Sequence, residues 1–290
     1  MKILDGKKLA EKILERNKKE IKNHRLNLKL AVILVGENPV SKIFVEQKKK
    51  ACEKVRIDFD LLKFSEKIKK PELKEKIGKI CKKSNISGVI IQLPLPKKFI
   101  PEEFLNLIPE EKDVDVLSEE SLGKFYQTLP SFSSKNLGGQ ETLKILPPTV
   151  EGILHFFRYY KIELKGKNIV IIGAGRLVGF PLALQLLKEK ATLSVLNEFT
   201  KDTPSFTKKA DILISGVGKP NLIKNKMVKD KVVVIDAGTS IKNGKLTGDI
   251  DFKGVSKKAS YITPVPGGVG PMTVACLLEN LVKLSKKKEK

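Results

Sequence analysis

Lysine is abundant in this chain, and one lysine stands where a charge is out of place. In SKIFVEQKKKAC (41–52) Lys48, Lys49 and Lys50 run consecutively. Residues 40–55 read as a helix, in which successive side chains turn by about 100°. With Phe44 as the origin, Ser41 lies at about 60°, Ala51 at about −20° and Cys52 at about 80°. Lys48 falls at about 40°, inside this stripe, whereas Lys49 and Lys50 fall at about 140° and about 240°, outside it. An inward ammonium loses hydration, its pKa falls, and it becomes suited to acid–base work near neutrality. The competing reading is a snorkelling lysine whose stem packs and whose head reaches water. Two features weigh against it. Gln92 ends a buried strand in SGVIIQLPLP (87–96), at the carboxyl end of a sheet, where such folds bind ligands. Asp113 and Asp115 in EKDVDVL follow a helix of the same lobe, one expected as a cap and the other as a ligand contact.

A second chemical signal is NIVIIGAGRLVGFP (168–181). A buried strand delivers Gly173, Ala174 and Gly175, and a helix is expected to begin there. Glycines allow a tight turn and close approach to a pyrophosphate, and a helix N-terminus offers free N–H groups. The third glycine, Gly179, makes the spacing GxGxxxG, and a tight turn in any α/β lobe is the plainer alternative. Arg176 stands where a ribose phosphate could be met. Glu198 follows the next strand, where a carboxylate accepts ribose hydroxyls and repels a 2′-phosphate, a tilt toward NAD over NADP. A third signal is ITPVPGGVGPMT (262–273), read as a stiff proline–glycine loop forming a wall of a site between two lobes.

The elements that position these residues alternate. LKLAVILVGE (28–37), DFDLLKF (58–64) and SGVIIQLPLP read as strands between helices at 7–22, 40–55 and 71–83. A polar, glycine-rich stretch, 131–142, reads as a loop or linker. A helix at 149–160 precedes further strands at 168–172, 192–197, 211–218, 232–238 and 260–263, and a helix at 272–284 closes the pattern. Strand–helix alternation predicts an α/β fold of two lobes with parallel sheets and a cleft between them.

Composition bounds the rest. The 290 residues are 41% hydrophobic, with a net charge of +23. Lysine greatly outnumbers arginine, aromatics are 6% and tryptophan is absent, a poor set for base readout or stacking. Nucleic acid is therefore not the expected partner. No stretch has the apolar length of a membrane span, and MKILDGKKLAEKI lacks a signal-peptide core, so a cytoplasmic protein is expected. Cys52, Cys81 and Cys276 are too scattered for a metal or disulfide framework and are expected as buried small hydrophobes; no metal is expected.

Together LDGKKLA, LVGENPVSKIFVEQKKKAC, GVIIQLPLP, EKDVD, IVIIGAGRLVGFP, ADILISGVGKP, VIDAG and SYITPVPGGVGPMTVACLLEN resemble the bifunctional methylenetetrahydrofolate dehydrogenase/methenyltetrahydrofolate cyclohydrolase family. The resemblance implies a homodimer that binds tetrahydrofolate derivatives and uses NADP or NAD. It implies a folate-binding domain over 1–140, onto which a C-terminal helix (272–290) packs, and a Rossmann-type domain over 141–271. It makes Lys48 the acid–base residue, assisted by Gln92, with Asp115 holding the pterin. It places Phe44, Leu93, Pro264, Val265, Pro266, Gly267, Gly268, Val269 and Gly270 at the substrate, and Gly173, Ala174, Gly175, Arg176, Glu198 and Thr239 at the cofactor.

The chain departs from the family at several points. Phe44 replaces a usual tyrosine, Val116 a usual glycine and Gly175 a common serine. PPTVEG (147–152) replaces PCTPxG, and residues 130–143 form an apparent insertion. Loss of the tyrosine hydroxyl would weaken hydration more than hydride transfer. Two alternatives follow: a dehydrogenase with impaired cyclohydrolase, or an inactive basic binding protein on the same scaffold.

Overall fold

The structure, a computed structural model, describes residues 1–127 and 145–288, so the apparent insertion at 130–143 lies outside the described residues. The chain divides into two compact units. One comprises Glu11–Pro148 and Val274–Lys290, the other Met1–Ala10 and Thr149–Thr273. All three boundaries fall inside helices.

Up to residue 127 the elements are β1 (Lys2–Ile3), α1 (Gly6–Asn23), β2 (Lys29–Val35), α2 (Pro39–Val55), β3 (Asp58–Phe64), α3 (Lys70–Lys82), β4 (Gly88–Ile91), α4 (Glu102–Leu105) and α5 (Glu119–Gln127). In the unit that holds most of them, β2 is the centre of a three-stranded sheet of order β3-β2-β4, parallel throughout. KLAVILV is buried on both faces, which explains its unbroken apolar run. Leu73, Ile77 and Ile80 of α3 pack with Ala31, Ile33, Val89 and Ile91 in one core.

From residue 148 the chain forms α6 (Pro148–Tyr159), β5 (Asn168–Ile172), α7 (Gly179–Lys188), β6 (Thr192–Leu196), α8 (Thr203–Thr207), β7 (Ile212–Ser215), β8 (Val233–Asp236), β9 (Ser240–Lys242), β10 (Lys245–Thr247), α9 (Phe252–Val255), β11 (Tyr261–Ile262) and α10 (Val269–Lys288). The C-terminal part of α10 belongs to the first unit. There Asn280 Nδ2 donates to Val114 O (3.0 Å) and Leu146 O (2.8 Å). A Cβ on Gly88 would strike Leu281, so β4 needs glycine under this helix.

The second unit is built on a six-stranded sheet of order β1-β11-β8-β7-β5-β6, with parallel pairing throughout. The chain runs from β5 outward to β6, then crosses back to β7 on the other side of β5. That reversal is the topological switch point of a doubly wound sheet.

Four details differ from the sequence expectation. Residues 1–10, expected with the first lobe, join the second unit, because Lys2 and Ile3 pair with Tyr261 and Ile262. Helix α7 begins at Gly179 rather than at the Gly173–Gly175 turn, since three turn residues, Arg176–Val178, intervene. The proline–glycine loop is shorter than expected. Val269, Gly270 and Pro271 are already the first turn of α10, where proline lacks no needed donor. Finally, β9 and β10 form a hairpin around Asn243-Gly244, both with positive φ (51° and 72°), the type I′ signature.

Candidate functional site

Helix α2 starts on Pro39, with the Asn38 side chain accepting from Ser41 N (3.0 Å), a side-chain N-cap that sets the helix phase. Ser41, Val45, Lys48, Ala51, Cys52 and Val55 are its buried residues, whereas Lys49 and Lys50 are exposed. Lys48 retains 6% exposure, so the head group does not snorkel. Its Nζ donates to Gln92 Oε1 at 2.7 Å. Gln92 lies just past β4, and its backbone N–H continues the ladder to Ile33 O (2.9 Å). Its Nε2 donates to Leu93 O (2.8 Å), which fixes the amide so that the oxygen faces the lysine. Ser41 Oγ donates to the same carbonyl (3.3 Å), tying α2 to the strand end. Phe44, partly exposed, precedes Lys48 by four residues and so by one turn on the same face.

The third residue comes from the turn after residue 112. Asp113 is buried, and its Oδ2 accepts from Leu117 N (3.0 Å) and Ser118 N (2.8 Å). Asp113 is thus the bracing carboxylate, and Asp115 is left for the site. Val116 adopts φ 57°, a left-handed conformation rare for a β-branched residue. That backbone explains why glycine is expected there.

Burial drives the Lys48 pKa down, while the Asp115 charge, and more weakly Cys52, pull it back up. Burial likewise raises the Asp115 pKa against the opposing Lys48 charge. Burial thus disfavours both charged forms, while each charge favours the other. A buried lysine of lowered pKa is a better proton acceptor than an exposed one. The nearby thiols are inert: burial pushes Cys52 up to about 12 and Cys81 up to about 11, and all three cysteines are buried and free.

In the other unit, the turn after β5 is built from backbone. Gly173 N donates to Leu196 O (2.8 Å), and Gly216 N donates to Ile172 O (2.9 Å), so the turn sits between the ends of β6 and β7. Gly173 has φ 96°, and a Cβ there would lie 2.9 Å from Gly216 O. A Cβ on Gly179 would collide with Gly173 O, whereas one on Gly175 would meet open space. Val178 gives α7 no side-chain cap, so the first N–H groups of the helix keep no partner of that kind. A turn closed on its inner side and open outward, in front of an uncapped helix start, fits a dinucleotide pyrophosphate.

Two residues that sequence reading missed shape the adjoining loops. Asp249 is fully buried; its carboxylate accepts from Ser215 Oγ (2.7 Å) and from the N–H groups of Val217 (2.7 Å), Gly218 (2.9 Å) and Lys219 (2.8 Å). Asp236 accepts from Gly238 N (3.0 Å), Asp249 N (3.1 Å) and Ile250 N (2.9 Å). Burial pushes Asp236 up to about 7 despite these donors. A side chain on Gly238 would strike Asp249, and one on Gly248 would strike Asp236. The sequence signal was there: an aspartate follows a glycine in DAG…GDID with no amphipathic reason for its place. Thr239, partly buried, follows β8 in this region. In the same unit, Gly6 and Lys7 donate from their backbone to Gly267 O (2.9 and 3.1 Å), and a Cβ on Gly6 would strike Gly268. This close approach is the reason for glycine in LDG.

Residues 4–115 match the family model of the tetrahydrofolate dehydrogenase/cyclohydrolase catalytic domain, and residues 147–289 match that of the NAD(P)-binding domain of the same family. The chain belongs to the tetrahydrofolate dehydrogenase/cyclohydrolase family. It is 46% identical to the bifunctional protein FolD of Nautilia profundicola, over 99% of this chain and 98% of that protein. A crystal structure of the bifunctional FolD methylenetetrahydrofolate dehydrogenase/cyclohydrolase from Campylobacter jejuni superposes with a TM-score of 0.89 at 41% identity, covering 99% of each chain. The Trypanosoma brucei FolD, solved with NADP and an inhibitor, superposes with a TM-score of 0.89 at 28% identity, over 99% of this chain and 98% of that one. This tetrahydrofolate dehydrogenase/cyclohydrolase is thus an NAD(P)-dependent enzyme of one-carbon folate interconversion, with methylenetetrahydrofolate dehydrogenase and methenyltetrahydrofolate cyclohydrolase activities. Nothing in these likenesses favours an inactive scaffold.

Proposed function

We propose that Lys48 is the acid–base residue of the cyclohydrolase step, oriented by Gln92, with Asp115 holding the pterin ring of the folate. The observation that carries this reading is the 2.7 Å contact from a buried lysine to an amide whose other end is already committed. The nicotinamide, when bound, accepts the hydride that leaves the methylene carbon of 5,10-methylenetetrahydrofolate. The methenyl cation left behind is attacked by water. Neutral Lys48 takes the proton that water loses as the new C–O bond forms. Protonated Lys48 then returns a proton to the ring nitrogen as the C–N bond breaks, and the carbinol hydroxyl releases its proton to water as the C=O forms, giving the 10-formyl product. Each transfer needs an amine of depressed pKa, which burial supplies. Phe44 and Leu93 contribute apolar surface for the folate beside Lys48. Gly173, Ala174, Gly175, Arg176 and Thr239 hold the cofactor.

The protein is cytoplasmic in this reading. Three buried free thiols suit a reducing compartment, and among the described residues no helix is long and apolar enough to cross a membrane. It is also a homodimer. Strand β6 ends the six-stranded sheet and exposes Val195, an edge that a second copy would cover. The excess of lysine serves solvated helix faces, as in the i,i+4 pairs Lys50–Glu46, Lys76–Glu72 and Lys79–Glu75.

Purified protein with 5,10-methylenetetrahydrofolate and either cofactor tests the reading. The methenyl absorbance should rise and then decay as hydration proceeds, with a pH–rate limb below the ordinary lysine range. Rise without decay would show that Phe44 has cost the cyclohydrolase step.

A further inference from the structure

The carboxylate at the end of β6 bears on which of the two nicotinamide cofactors the enzyme takes. Strands β5 and β6 pair with Ile172 opposite Leu196, so the chain just past Leu196 lies level with the Gly173–Gly175 turn. The next residues form a tight turn. Asn197 N donates to Thr200 Oγ1 (3.0 Å), Phe199 N donates to Asn197 Oδ1 (3.0 Å) and Thr200 N donates to Asn197 O (3.1 Å). These bonds fix the backbone on both sides of Glu198. Its carboxylate is exposed and, among the described residues, makes no ion pair. In a doubly wound sheet, the adenosine ribose of a dinucleotide seated on the glycine turn reaches the end of this neighbouring strand.

We propose that Glu198 makes this enzyme select NAD over NADP. The inference rests on reading the β5 turn as the dinucleotide site. A carboxylate there accepts the two ribose hydroxyls of NAD. The 2′-phosphate of NADP would replace one hydroxyl with a dianion against a fixed negative charge. The net charge of +23 would attract NADP more than NAD, but such a field is screened beyond about 8 Å at physiological salt, and the local carboxylate decides.

The test compares NAD and NADP in dehydrogenase turnover, and NADH and NADPH in direct fluorescence titration, at one ionic strength. The expected kcat/KM ratio favours NAD by at least about tenfold, in line with a like-charge contact. NADPH should bind correspondingly more weakly than NADH. Glu198→Gln should shrink the ratio from both sides, lowering the KM for NADP and raising the KM for NAD, whose ribose hydroxyls lose their charged acceptor. Equal or better use of NADP, or a ratio unmoved by Glu198→Gln, would overturn the inference while leaving the β5 turn as the cofactor site. Failure of both reduced cofactors to bind would overturn the site reading along with it.

Discussion

Each unit buries charged side chains, and Lys48 in one is treated in the opposite way to Asp249 and Asp236 in the other. In the unit of α2 and β4, the Lys48 ammonium has, among the described residues, a single hydrogen-bond acceptor in Gln92. In the unit of β5–β8, the Asp249 carboxylate takes four donors and Asp236 takes three. A buried charge that is saturated becomes part of the framework; one left short of partners stays available to a substrate. The glycine turn after β5 sits beside the first kind, because the loop after β7, held by Asp249, closes against it.

The sharpest way to break this contrast is Lys48→Met. Hydration should fall by about 10²–10⁴-fold, with thermal stability not reduced, since removing an under-compensated buried charge costs little. Unchanged hydration in the absorbance assay would remove Lys48 from the mechanism. Asp249→Ala should do the reverse. Orphaning four donors should cost about 3 kcal/mol or more in a urea melt and raise cofactor KM, leaving Lys48 untouched. A stable variant with normal cofactor binding would show that the loop holds itself.

The pH dependence of stability sharpens the same point. An unfolded aspartate titrates near 3.8, whereas folded Asp236 titrates at about 7. Below both values the group is protonated in either state and costs nothing. Between them unfolding releases a proton, so stability falls as pH rises, by up to about 1.4 kcal/mol per unit from this group. Above about 7 the slope disappears. Asp236→Asn should flatten the slope between pH 5 and pH 7 (roughly) in equilibrium denaturation, and an unchanged slope would assign it to other groups. The smallest expected effect is Phe44→Tyr, which should raise hydration a few-fold by restoring a hydroxyl one turn from Lys48; no gain would mean that the ring is not limiting.

Much of this is legible in the sequence alone. The period of 3.6 in α2 picked Lys48 out of three adjacent lysines, and the same residue is the buried one. The unbroken run in β2 and the glycines after β5 read correctly because a buried parallel strand and a tight strand–helix turn each constrain consecutive residues. The start of α7 was misplaced because glycine marks both a turn and a helix end. Asp113 and Asp115 could not be told apart, since two residues of separation say nothing about which carboxylate meets the N–H groups of 117 and 118.

By itself, then, the sequence determined the order and type of the main elements, the inward lysine and the tight glycine turn after β5. Each of those follows from side-chain periodicity or backbone freedom over fewer than about twenty neighbouring residues. Tertiary structure alone decided that Gln92, 44 residues away, aims its oxygen at Lys48, that Lys2 and Ile3 pair with the last strand, and that Asp249 secures the loop after β7. Those choices depend on sheet register and on which buried donors lack partners, and neither leaves a local period in the chain.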